Sequence, residues 1–102
     1  MKKLLLTVAT LLAVTSTAQA DTEKCTFISE SAELIMQLRQ SNAPIADVLK
    51  ITEDFEVLLE LVIKAYEAPR YNSEEYKADA VTDFSNLVMV TCLQSLKEVT
   101  TG

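Results

Sequence analysis

Apolar positions along this chain follow two patterns. Leu4 to Val14 form a nearly unbroken apolar run, interrupted by Thr7 and Thr10. From Thr26 onward, apolar side chains recur every three to four residues, which is the period of an amphipathic helix. The spacing predicts a first helix from about Thr26 to Gln40. Phe27, Ser31, Leu34 and Leu38 form one stripe of it, and Ile28, Ala32 and Ile35 form a neighbouring stripe, so the buried face is wide. Ser41-Asn42-Ala43-Pro44 is a break, with Asn42 placed to cap the next helix and Pro44 suited to its first turn. A second helical segment carries Ile45, Val48 and Leu49; the pattern leaves open whether it stops near Thr52. Thr52 or Asp54 is placed to cap a third helix, whose stripe is Phe55, Leu58, Leu59, Val62, Ile63 and Tyr66. Ala68-Pro69-Arg70-Tyr71-Asn72 is the second clear break, because a residue before proline avoids the α region. A last helix starts at Asn72 or Ser73. Glu74 and Glu75 lie in its first turn, and Tyr76, Ala80, Phe84, Leu87, Val88, Cys92, Leu96 and Val99 share one broad face. Thr100 to Gly102 is expected to fray.

The run from Leu4 to Val14 has a different meaning. Lys2 and Lys3 precede it, and the small-x-small triplet Ala18-Gln19-Ala20 follows. That is the layout of a secretory signal peptide cleaved after Ala20. The run is too short to span a bilayer, and no stop-transfer segment comes after it. The expected organisation is therefore residues 1–20 as signal and 21–102 as one helical domain, periplasmic or secreted, with no membrane insertion after cleavage.

Composition narrows this picture. The chain has 102 residues, and cleavage leaves 82, a size at which a core is marginal and often stapled. The one glycine is Gly102, so the turn residues an all-β domain needs are missing. An all-α, up-and-down bundle of three to four helices is the expected fold. The two cysteines, Cys25 and Cys92, both fall in the mature part, and an even count in an exported chain reads as a disulfide. An intermolecular bridge and two free thiols are the alternatives. In the bundle, Cys25 begins the first helix and Cys92 lies near the end of the last, so antiparallel helices bring them together. The mature part holds 7 basic and 15 acidic side chains, a net charge of −8. That excludes nucleic acid as the expected partner, because phosphates need a basic face.

Candidate chemistry is sparse. With no histidine, nucleophilic triads, histidine-ligated zinc and haem attachment are excluded, and no phosphate-cradling loop is present. Glu53, Glu56 and Glu60 would line one helix face, but a solvated acidic face with Lys64 paired to Glu60 explains them. Neither an enzyme activity nor a metal or cofactor is expected. The less ordinary feature is a cluster. Tyr66, Tyr71 and Tyr76 surround the Pro69 break, and the only two arginines are Arg70 in that break and Arg39 at the end of the first helix. In an up-and-down bundle the first and third connections share one end, so Arg39-Gln40 and Tyr66 to Tyr71 face each other. Tyrosine and arginine are enriched at binding hot spots. Arg39, Gln40, Tyr66, Arg70, Tyr71 and Tyr76 are therefore candidate partner-binding residues. The competing role is internal: Arg39 capping carbonyls or pairing with Glu67, with the tyrosines closing the bundle end.

The pattern Ile35-Met36-x-x-Arg39-Gln40, Val62-Ile63-x-Ala65-Tyr66-Glu67-x-Pro69-Arg70-Tyr71, Phe84 and a late Cys92 resembles a group of small exported helical proteins of proteobacterial and phage or prophage genomes. A glycine is more usual in that group at the Ser41-Asn42 step. The resemblance spans Cys25 to Cys92 and implies a periplasmic, disulfide-stapled bundle, with no activity attached. Three functional expectations follow. The first is a protein-interaction module with an envelope or periplasmic partner; in a phage-borne version it would modulate superinfection or lysis. The second is an acid-stress periplasmic chaperone, whose carboxylates would lose charge on acidification. The third is a small-ligand carrier, for which an apolar cavity would be the sign.

Overall fold

Asn42, Pro44 and Pro69 stand at two of the three breaks between helices. A computed structural model describes the backbone of residues 2–101 and the side chains of residues 21–97. Its helices are α1 (Lys2–Gln40), α2 (Ile45–Thr52), α3 (Glu56–Glu67) and α4 (Glu74–Thr101). The expected signal segment, its cleavage point, Val99 and the fraying tail lie outside the residues described with side chains.

α1 ends in a Schellman motif. The Asn42 N–H donates to the Arg39 carbonyl at 3.1 Å, and the Ala43 N–H to the Leu38 carbonyl at 2.9 Å. Asn42 takes φ 68°, the left-handed region that asparagine tolerates better than most residues. Asn42 thus closes α1 and does not cap α2. The residue before α2 is Pro44, in extended conformation and without a side-chain cap bond. α2 stops at Thr52, which settles where the second segment ends. Thr52 and Asp54 do not cap α3 either. The Thr52 hydroxyl donates back to the Val48 carbonyl at 3.0 Å, and the extended Phe55 opens α3. Ala68 ends α3 at ψ 150°, the conformation a residue before proline must adopt. Ser73 caps α4, its Oγ accepting the Tyr76 N–H at 3.1 Å.

Contacts between helices fix their directions. Arg39 meets the end of α3, and Phe27 stacks against Phe55 at its start, so α1 and α3 run parallel. Ser29 donates to the Ser85 carbonyl, and Cys25 is bonded to Cys92 with a Cα–Cα distance of 5.6 Å, so α4 runs antiparallel to α1. With α2 running back between α1 and α3, the chain is an all-α, up-and-down bundle stapled by one disulfide. α1 packs on α3 and most extensively on α4, while α3 and α4 barely meet.

Two stripes turn differently from the expectation. On α1 the inward line is Cys25, Ala32, Ile35 and Met36, with Phe27 47% and Leu34 51% exposed. The disulfide pins Cys25 inward and so sets the rotation of the whole helix. On α3 the buried residues are Leu58, Leu61, Val62 and Ala65, while Phe55, Leu59 and Ile63 face outward. α4 contributes half-buried Ala80, Val81, Phe84 and Val88 to the core, and Leu87 leaves it. Glu53 lies beyond α3, so the three-glutamate face does not form. The expected Glu60–Lys64 pair is also absent among the described residues, where the ion pair seen is Lys77–Glu74 at 3.7 Å.

Candidate functional site

The first and third connections do share one end of the bundle, and the residues there divide into two sets. One set is spent on holding the break at Pro69. That break leaves backbone groups without helical partners, and such groups need partners if they are covered. The Arg39 guanidinium supplies one, donating from Nε and Nη2 to the Ala68 carbonyl at 3.2 and 3.0 Å. It also lies over the Tyr66 ring, 5.2 Å from its centroid. Gln40, only 3% exposed, supplies two more. Its Nε2 donates to the Pro69 carbonyl at 3.0 Å, and its Oε1 accepts the Tyr71 N–H at 2.9 Å. The Tyr66 hydroxyl donates to the Ala43 carbonyl at 2.6 Å, tying α3 to the α1–α2 turn. Burial pushes the Tyr66 phenol above its ordinary value; the charge of Arg39 opposes this, and that of Asp47 adds to it. Arg39 binds a carbonyl and a ring; no Arg39–Glu67 ion pair occurs among the described residues.

The other set faces solvent. Arg70 is exposed, and among the described residues its side chain has no hydrogen bond or ion pair. Tyr71 and Tyr76 form a tilted ring pair, 6.1 Å between centroids and 56° between planes. Tyr76 is 60% exposed. These two rings, with Asp79, Ala80 and Asp83, line a shallow recess of about 420 Å³. Asp79 and Asp83 were not singled out from the sequence. Their positions three and seven residues after Tyr76 place them on the same helix face, and that spacing was a usable signal.

The recess has a definite chemistry. Two π faces and two carboxylates around one hollow suit a cationic group, while the exposed Arg70, which precedes Tyr71 in the chain, suits a carboxylate. Among the described residues no three Asp, Glu, His or Cys side chains converge as a metal site, and no helix is long and apolar enough to cross a membrane. Comparison with known proteins finds no matching family model, no matching curated protein and no matching solved structure.

Proposed function

We propose that this chain is an exported, disulfide-stapled helical module that works by binding another protein through the exposed Arg70, Tyr71 and Tyr76 end. The observation that carries the reading is the division of labour around Pro69. Arg39, Gln40 and Tyr66 satisfy the loop from beneath, while the paired rings of Tyr71 and Tyr76 and the Arg70 side chain face solvent. Two rings already paired in the free protein lose little side-chain freedom when a partner covers them. The recess favours a partner segment that carries a lysine or arginine, set against the Asp79 and Asp83 carboxylates. The net charge of −8 on the mature chain steers such a segment toward it. Export is supported by the Lys2-to-Ala20 sequence pattern and by the disulfide, a bond that persists in oxidising compartments.

The test is capture from envelope extract at neutral pH, with the disulfide-intact protein as bait beside Arg70→Ala/Tyr76→Ala. Arg39 is a poor choice for the control, because its loss loosens the loop. The expected result is one protein retained by the wild type and lost by the variant at unchanged melting temperature. Many proteins held equally by both baits would discard this site and favour the chaperone reading.

A further inference from the structure

The face between α3 and α4 carries a second feature, which shares no residue with the tyrosine recess. Because these helices barely meet, an apolar groove of about 420 Å³ opens between them. That volume falls within the range of about 300–1,000 Å³ typical of small-molecule sites. Ile28 and Phe84 contribute to it from α1 and α4, and Val57 and Leu87 are lining residues left 44% and 63% exposed. Lys64 is the only charged side chain among the lining residues. It makes no ion pair among the described residues, in a chain with 15 carboxylates. Since α3 and α4 run antiparallel, Lys64 lies toward the Phe84 end of the groove and Ser95 at the other. From Phe84 to Ser95 the α4 wall is about 16 Å long at 1.5 Å rise per residue. An extended alkyl chain of about twelve carbons has that length, given C–C bonds of about 1.5 Å at near-tetrahedral angles.

We infer that this groove binds a single-chain fatty acid, with its carboxylate on Lys64 and its alkyl chain along Leu61, Leu87 and Val88 toward Cys92. Charge complementarity selects the head group, since an ammonium at the groove's end attracts an anion and repels a cation. The apolar walls select the tail.

The test is titration of the purified, disulfide-intact protein with sodium dodecanoate below its micelle concentration, followed by calorimetry and by methyl NMR shifts. Saturable one-to-one binding is expected, with shifts at Leu61, Leu87 and Val88. Octanoate should bind at least tenfold more weakly, since each CH₂ removed from water counts about fourfold. Lys64→Gln should weaken dodecanoate about tenfold and leave the melting temperature unchanged, because the side chain is exposed. Leu87→Glu, also at an exposed position, should weaken it at least as much. Dodecyltrimethylammonium, of equal tail and opposite charge, should bind at least tenfold more weakly than dodecanoate. No saturable binding of dodecanoate, equal affinity for the cationic amphiphile, or an unchanged Kd in Lys64→Gln would each overturn the inference.

Discussion

Arg39 and Arg70 are the same residue type at the same end of the bundle, and their surroundings give them different tasks. Arg39 forks onto the Ala68 carbonyl and covers Tyr66, so Arg39→Ala should cost about 2 kcal/mol, read by chemical denaturation. Arg39→Lys should recover only part of this, because an ammonium lacks the planar fork. Arg70→Ala should stay within about 0.5 kcal/mol of the wild type, as exposed substitutions do. Gln40 is the most constrained of the six. Gln40→Met keeps its volume but strands the Pro69 carbonyl and the Tyr71 N–H, and should cost about 2 kcal/mol. Tyr66 gives the fold an alkaline limit. Its phenol is held neutral in the fold, and its raised folded-state pKa lies above the unfolded value of about 10. Its contribution is therefore complete below about pH 10 and is lost as pH rises through the folded-state value. Tyr66→Phe should lose about 1 kcal/mol at neutral pH with the Ala43 bond, and should show a shallower alkaline decline in stability against pH.

At the scale of elements, the breaks were easier to read than the faces. Pro44 and Pro69 constrain their own φ and the residue before them, so both interruptions stand in the sequence with a mechanism attached. The sequence leaves Asn72 and Ser73 as equal candidates for the α4 cap, and the Tyr76 N–H on the Ser73 hydroxyl selects Ser73. Asparagine serves both ends of a helix, so the sequence does not say which one Asn42 takes, and the backbone course shows that it closes α1. Asn42→Ala should therefore destabilise the protein by about 1 kcal/mol and Asn42→Gly should not, as thermal melts would show. The buried faces were harder for a different reason. α1 carries Phe27, Ile28, Leu34, Ile35, Met36 and Leu38, which point in most directions, so periodicity alone does not choose a rotation. The disulfide and the neighbouring helices choose it. The meeting of Arg39-Gln40 with Tyr66 to Tyr71 was legible from topology. Which side chains hold the loop and which face outward depended on atomic positions.

For the whole molecule, the Cys25–Cys92 bond joins the second half of α1 to the late part of α4 across a sequence separation of 67. On the chain-entropy account, a loop of that size contributes about 4 kcal/mol. Cys25→Ala/Cys92→Ala should then melt about 20 °C lower, at roughly 4–8 °C per kcal/mol for a domain this small. The bundle would keep its helices and lose the fixed spacing between α1 and α4 at the Cys92 end of the groove. On the proposed reading, the loop held by Arg39, Gln40 and Tyr66 keeps one end of the stapled bundle ready for a partner. Photo-crosslinking in cells that export the chain tests it most directly, with benzoylphenylalanine placed at Tyr76 and, as a control, at Leu34, which is exposed on a different helix. The account predicts one discrete adduct from position 76 and none from position 34. No adduct at 76, or the same adducts from both positions, would contradict it.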